Sequence, residues 1–172
     1  GFAAVSRTMF LWKGSPSIQA KGCLAIANAF LTDNEGSMAD APKTFGLFEA
    51  VLWAMGKFPM MESVQRPGLR ALGIMLIYDC NVEFFVAALG GLKCIVAAMR
   101  IHEGHVALQA AASRAIEILS RNDQVRDAVR TSGAVEALAV NIRVCAQRDE
   151  ETAGSAYKRA QIAMKELLAD KS

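Results

Sequence analysis

The chain has 172 residues, of which 53% are hydrophobic and 21% are charged. A chain of this length buries most of the surface that its unfolded form exposes, so its stability does not require a disulfide or a metal ion. Its 19 basic and 17 acidic residues give a formal net charge of +2, which is too balanced to predict capture of nucleic acid or of an anionic membrane by charge alone. Since no uncharged apolar run reaches the ~18 residues of a membrane span, no transmembrane segment is predicted.

Two sets of sequence markers recur at nearly equal spacing along the chain. Each of four apolar runs begins at a glycine, and these glycines lie 45, 45 and 42 residues apart: Gly1, Gly46, Gly91 and Gly133. A second series of runs begins near a glutamine, at intervals of 46 and 44 residues: Gln19, Gln65 and Gln109. This self-similarity predicts a single domain of four repeats with bounds at about 1–45, 46–90, 91–132 and 133–172.

In the first two copies, a short break separates two predicted helices. The first break spans 13–16, where the Ser15 side chain can accept a free amide hydrogen and Pro16 has none to lose, so a helix should begin there. The second break spans 57–59. Pro67 must lie in the first turn of the following helix, after Ser63, or else it kinks that helix.

A short additional helix is predicted before two of the marker glycines, at 81–89 before Gly91 and at 123–129 before Gly133. In the third copy, apolar residues recur at steps of three and four, which is the pattern of helices packed through one face: Val96, Met99, Leu108, Ala112, Ala115, Ile116 and Leu119. The fourth copy fits after a longer loop at 147–154. Because no segment favours a strand, the predicted class is all-α.

Three helices in 42 to 45 residues resemble the armadillo repeat, whose period is about 40–47 residues. The segment 91–99 resembles the second armadillo helix, and the segment 108–120 resembles the third. The resemblance covers nearly the whole chain, with the two-helix HEAT repeat as the closest alternative. It implies a right-handed α-α superhelix of about four repeats, belonging to a longer chain or an assembly.

In armadillo proteins that grip extended peptides, the third helices line a groove that carries a ladder of Asn residues flanked by Trp. The corresponding Asn positions here hold Asn28, Ile74, Ile118 and Glu166, and the Trp positions hold Leu24, Arg70, Arg114 and Ile162. Only Asn28 matches, so binding of nuclear-localisation signals is not expected. The predicted groove instead suits an acidic or amphipathic partner segment, with these contact residues: Lys21, Asn28, Arg70, Arg114 and Arg159. The alternative is that these cations are solvated or paired with local carboxylates.

The two ends of the repeat array differ in polarity. The first copy begins directly with its second-type helix, which leaves an apolar edge at Phe2, Val5 and Met9. We expect upstream chain or a partner to cover that edge. The last copy ends in a polar cap formed by Lys165, Glu166, Asp170 and Lys171.

No convincing catalytic or metal-binding set is present. His102 and His105 follow an H-E-x-H pattern, which lacks the i, i+4 step of zinc proteases and contains a glycine, so we predict an exposed loop. Four cysteines lack any C-x-x-C pair and are predicted to be buried free thiols: Cys23, Cys80, Cys94 and Cys145. Trp12 and Trp53 are predicted to be core or interface anchors.

The leading hypothesis is therefore a protein–protein interaction scaffold or a structural subunit of a larger complex, with no enzymatic activity and no cofactor. Its partner would be another protein, contacted through an acidic or amphipathic segment or as neighbouring subunits. The alternative is a helical-repeat RNA-binding protein, which needs a contiguous basic surface. Free thiols favour a reducing intracellular compartment. The cytoplasm is preferred, with an organelle interior as the alternative if the N-terminus is processed.

Overall fold

The structure is a computed structural model that describes residues 1–33, 35–148 and 150–169, apart from the side chains of residues 150 and 152. Within these ranges every regular element is a helix and no strand occurs. The all-α prediction is therefore confirmed. Two residues of the predicted polar cap, Asp170 and Lys171, lie outside the described residues.

Ten α-helices and two short helical segments follow one another in the described part of the chain. The α-helices are α1 (Phe2–Leu11), α2 (Pro16–Leu31), α3 (Ala41–Thr44), α4 (Leu47–Lys57), α5 (Glu62–Met75), α6 (Gly91–Ile101), α7 (Val106–Arg121), α8 (Arg126–Thr131), α9 (Ala134–Ala146) and α10 (Glu150–Leu168). Between α5 and α6 lie a 3₁₀ turn at Asp79–Asn81 and a π-helical turn at Phe84–Ala88.

The long helices form two series. Helices α2, α5, α7 and α10 pack against one another in chain order, and so do α1, α4, α6 and α9. Each helix of the second series also packs against the helix that follows it in the chain, as α1 does against α2. Most of the apolar side chains buried in these contacts form one continuous core cluster.

The three marker glutamines have one shared structural role. Each is the fourth residue of its helix, and its side-chain Nε2 donates to two backbone carbonyls of the preceding helix. Gln19 donates to the carbonyls of Met9 at 2.8 Å and of Trp12 at 3.1 Å. Gln65 donates in the same way to the carbonyls of Met55 and Phe58, at 2.7 and 3.0 Å. Gln109 donates to those of Met99 and His102, also at 2.7 and 3.0 Å. Because the last carbonyls of a helix lack intrahelical donors, the glutamine supplies a donor to the first carbonyl of each pair. The second carbonyl, that of Trp12, Phe58 or His102, also accepts from the backbone amide three residues later.

Glycines in the left-handed region immediately precede α4, α6 and α9. They are Gly46 (φ 60°), Gly90 (φ 60°) and Gly133 (φ 88°), and only glycine adopts this conformation without strain. The marker glycine predicted from the sequence, Gly91, thus lies one residue after the glycine with the left-handed backbone, Gly90. Gly91 is the first residue of α6, where a Cβ would collide with the ring of Phe85.

The short helices differ from their predicted positions. A helix not predicted from the sequence, α3, precedes Gly46. The predicted helix at 81–89 is instead split into the 3₁₀ and π-helical turns, and the one predicted at 123–129 forms later, as α8. These segments are too short for the apolar periodicity to define their ends.

Pro67 lies in the second turn of α5, not in the first. The N-cap is Met61, so Pro67 is the sixth helical residue. The prediction of a first-turn position was wrong because α5 begins one residue before Ser63. Since proline has no amide hydrogen, the carbonyl of Ser63 loses its intrahelical donor.

The apolar edge of the first copy is not formed as predicted. Met9 is 2% exposed, and its Cγ and Sδ lie only 2.5 Å from where a Cβ on Gly22 would be. Phe2 and Val5 are half-buried against the core. The exposed apolar residues of this end are instead those at the end of α1 and just after it: Phe10, Leu11 and Trp12. Trp12 is therefore not a core residue.

Asp33 holds the loop between α2 and α3 against the end of α5. Its carboxylate accepts hydrogen bonds from the amides of Ser37 and Met38 and from the hydroxyl of Tyr78, at 3.0, 2.8 and 2.8 Å. Partial desolvation raises the pKa of Asp33, but these bonds outweigh it and bring the pKa from 3.8 to about 2. The charged form is thus the one that the fold stabilises.

We expect Asp33→Asn to destabilise the protein in a pH-dependent way. The lowered pKa means that the wild-type advantage is complete above pH 3.8 and is lost as the pH falls through about 2,. Urea unfolding of both proteins across this range should show their free energies of unfolding converging at acid pH. Asp40→Asn, at an exposed position, serves as the control. The prediction would be contradicted if the difference in free energy of unfolding between wild type and Asp33→Asn stayed constant across this pH range.

The described ranges contain no single helix that is long and apolar enough to cross a bilayer. Helix α5 and the segment Asp79–Ala88 meet the length and composition test only in combination, and they are bent by 115° relative to each other.

Candidate binding groove

An open groove runs between α2, α5 and α7. Its volume is about 560 Å³, within the range of ligand sites,. Small and apolar residues of the three helices form part of its lining: Ala20, Leu24, Pro67, Ala107 and Ala111. We refer to this surface as the α2/α5/α7 groove. It combines small and apolar residues with charged residues from two helices.

The charges of the groove are mainly positive. Lys21 of α2 and Arg70 of α5 are exposed, and neither forms an ion pair with any described residue. Arg66, also exposed, lies 4.0 Å from Glu62. Glu62 is in turn 3.5 Å from Nδ1 of His105. Three permanent cations therefore face one carboxylate, which favours a ligand that carries negative charge.

Two other predicted contact residues lie on the same helices but not in the groove lining. Arg114 follows Ala111 by three residues, so the two share a face of α7. It is exposed and has no ion-pair partner among the described residues. Asn28 is exposed near the end of α2, where it makes no side-chain hydrogen bond within the described chain. Arg114 can extend the positive surface, whereas Asn28 lies beyond it.

Arg159 is engaged inside the protein. Its Nη1 donates to Oε2 of Glu117 at 2.9 Å, and the Glu117 side chain is only 6% exposed. Arg121 binds the other carboxylate oxygen at 2.7 Å. The prediction that Arg159 is available in the groove is therefore corrected, because its charge is used to join α10 to α7.

The positions that would hold an Asn ladder do not form one surface. Ile74 is 7% exposed, Ile118 is half-buried, and Glu166 lies 4.0 Å from Arg121. The Trp positions, in contrast, are all exposed: Leu24, Arg70, Arg114 and Ile162. These four residues occur on successive helices of one series, so their side chains can contact a ligand. They do not provide a regular set of amide side chains that could hydrogen-bond a peptide backbone.

Pro67 gives the groove a polar feature. Ser63 and Pro67 both line it, and the Ser63 carbonyl lacks its helical donor because of the proline,. Ser63 is exposed, so this carbonyl can accept a hydrogen bond from water or from a ligand.

The two histidines have separate structural roles. His102 is 6% exposed, and its Nε2 lies 2.8 Å from the carbonyl oxygen of Pro59, so the predicted exposed loop is wrong at this position. His105 is exposed and is the N-cap residue of α7. Within the described ranges, no three His, Cys, Asp or Glu side chains are grouped so that they could hold a metal ion.

The four cysteines are all free thiols, but they are not all buried. Cys23 is fully buried, and desolvation raises its pKa to about 12. Burial also raises the pKa of Cys94 to about 11 and increases that of Cys145. Cys80 is exposed and Cys94 is only half-buried, contrary to the prediction. The raised pKa values make Cys23, Cys94 and Cys145 poor nucleophiles at neutral pH, because the reactive form is the thiolate.

Comparisons with known proteins identify no relative. No protein-family model, no curated protein and no solved structure matches the chain significantly.

Sequence reasoning missed two residues that define the site. Arg66 contributes a groove cation, and its position one residue before Pro67 and four after Glu62 could have indicated an exposed helical face. Glu117 determines where Arg159 and Arg121 point. Its burial left no signal in the sequence, because a carboxylate is mostly exposed in proteins.

Proposed function

We propose that this chain is a protein-binding scaffold of the armadillo type, and that the α2/α5/α7 groove holds an acidic, amphipathic segment of a partner protein. In this proposal the helices form a right-handed superhelix, and the protein contributes a binding surface instead of catalysis. The observation that carries the proposal is the groove itself, where Lys21, Arg66 and Arg70 surround an apolar floor.

The chemistry of the groove favours such a segment. Apolar side chains of the ligand would cover Leu24 and the alanines, while its carboxylates would pair with the cations. Arginine binds carboxylates through two parallel hydrogen bonds, which adds orientation to the attraction. A ligand amide could also donate to the Ser63 carbonyl. Repeat proteins commonly use such extended surfaces for binding.

Charge reversal tests this proposal. We expect the double variant Arg70→Glu, Arg114→Glu to bind a labelled peptide of alternating Leu and Glu at least about tenfold more weakly, which corresponds to about 1.4 kcal/mol. Two attractive charge pairs become repulsive in this variant, while both positions remain exposed. Fluorescence anisotropy measures the affinity, and circular dichroism verifies that the variant is folded.

Arg143→Glu is the matched control, because Arg143 is an exposed residue of α9, in the other helix series. It should change the affinity less than about twofold, as expected for a remote charge screened by salt. Equal binding by the double variant and the wild type would contradict a groove site. Tight binding of single-stranded RNA with a steep loss of affinity in added salt would instead favour the nucleic-acid alternative.

A further inference from the structure

A second cleft lies in the other helix series, between α1 and α4. Its volume is about 430 Å³, which is within the size range of ligand sites. Three aromatic residues line it, namely Phe10 from α1, Phe45 from the turn before α4, and Trp53 from α4. Most of its accessible lining is apolar. This cleft shares no lining residue with the α2/α5/α7 groove, so an argument about it does not depend on the function proposed for the groove.

The rim of the cleft carries two cations and one carboxylate: Arg7, Lys13 and Glu49. The Nζ of Lys13 lies 3.9 Å from the centre of the Phe10 ring and 5.3 Å from that of Trp53, so it bridges α1 and α4 across the aromatic residues. Neither Arg7 nor Lys13 forms an ion pair within the described chain. The rim is therefore complementary to an anionic ligand.

A buried acceptor without a donor lies among the lining residues. Gln19 is fully buried, and both bonds described above use its Nε2. Its Oε1 accepts no hydrogen bond from the described residues. A buried oxygen in this state is unfavourable relative to one that is hydrogen-bonded. Because this oxygen is itself closed to solvent, a donor in the cleft reaches it only if the Gln19 side chain shifts.

The equivalent cleft between α6 and α9 shows which features are specific. It is smaller, about 210 Å³, and it contains Gln109, whose Oε1 also lacks a partner. In this cleft Glu103 is at the position equivalent to Lys13, and Val140 is at the position equivalent to Trp53. The unpaired oxygen thus occurs in both clefts, whereas the aromatic lining and the basic rim belong to the first cleft.

We propose that the α1/α4 cleft binds a tryptophan or tyrosine side chain of a partner protein, flanked in the partner sequence by acidic residues. Such a side chain has a large apolar body for contact with Phe10, Phe45 and Trp53, together with an N–H or O–H group that can donate to polar groups at the rim. The flanking carboxylates pair with Arg7 and Lys13. The protein then has two separate binding surfaces, one in each helix series.

The test uses synthetic peptides with the protein as it is. The probe has a central Trp between two Asp-Glu pairs, and its two comparison peptides carry Ala in place of Trp or Lys in place of the acids. We expect each comparison peptide to bind at least tenfold more weakly by isothermal titration calorimetry. Ala50→Leu, which fills the cleft from α4, should weaken binding of the Trp peptide by at least tenfold.

Ala111→Leu is the matched control, because Ala111 is likewise half-buried but lines the α2/α5/α7 groove. It should leave binding of the Trp peptide unchanged and weaken only the groove peptide, so failure of one site is distinguishable from failure of the other. If Ala50→Leu does not fold, the exposed-rim variant Arg7→Glu replaces it, with an expected loss of at least threefold. Equal binding of the Trp and Ala peptides, or no binding of the Trp peptide, would overturn the proposal.

Discussion

Replacing Gln109 with leucine is expected to lower the free energy of unfolding by about 1–3 kcal/mol. The substitution removes the donor of two backbone carbonyls, those of Met99 and His102. Both residues are buried, at 1% and 6% exposure, so water cannot readily replace the lost bonds. The His102 carbonyl keeps the amide of His105 as a donor at 3.0 Å, whereas an unsatisfied buried carbonyl at Met99 costs about 1–3 kcal/mol. Leucine has a similar volume, so the loss is one of hydrogen bonding and not of packing, and it is reduced in part because the unpaired Oε1 of Gln109 is removed as well.

Urea denaturation followed by circular dichroism measures the change. Gln161→Leu is the control, because Gln161 is exposed on α10, and it should shift the free energy of unfolding by no more than about 0.5 kcal/mol,. Gln65→Leu should behave like Gln109→Leu, since it removes the same two bonds in the second copy. A loss below about 1 kcal/mol at both glutamines would mean that these bonds are not a stabilising feature of the repeat.

The glutamine markers show why much of this helical fold could be predicted from sequence. A helix end leaves several carbonyls without intrahelical donors, and in three copies one side chain at one spacing donates to two carbonyls at that end. The same geometry therefore requires the same residue, which makes the repeat visible in the sequence. Gly46 and Gly133 are similar cases, because their left-handed backbone leaves little choice of residue,.

The ends of elements and the site charges were harder to predict. Gly90 and Gly91 are adjacent, and the sequence alone does not say which one has the left-handed conformation and which one makes room for Phe85. Met9 was assigned to an exposed edge because the first copy begins directly with its second-type helix, with no short helix before it. Its burial depends on Gly22 of α2, a contact between two helices that the periodicity of one helix does not contain,.

The groove illustrates the same limit for function. The exposed positions of Lys21 and Arg70 follow from the helical period, so these residues could be predicted as surface cations. The helical spacing predicts an exposed position for Arg159 as well, but its side chain binds Glu117, which is 42 residues away in the sequence. Whether an arginine binds a partner or an internal carboxylate depends on such long-range contacts, which helical spacing does not specify.

Glu117→Gln, which removes the charge of this internal carboxylate, is expected to lower the free energy of unfolding by about 1–3 kcal/mol. Glu117 binds Arg159 of α10 at 2.9 Å and Arg121 of its own helix at 2.7 Å. Removing one partner of a fully buried ion pair costs about 3–5 kcal/mol. Here the two arginine side chains are 33% and 55% exposed, so solvent stabilises the charges that remain and the loss is smaller,.

A double-mutant cycle separates the link between α7 and α10 from the local pair. Glu117→Gln and Arg159→Gln are combined, and their coupling energy in urea unfolding should exceed about 0.5 kcal/mol, as expected for residues in direct contact. Glu136→Gln, an exposed substitution in α9, should leave stability nearly unchanged. Additive effects of the two substitutions would show that Arg121 alone holds the buried carboxylate, and Arg159 would then be available to a partner after all.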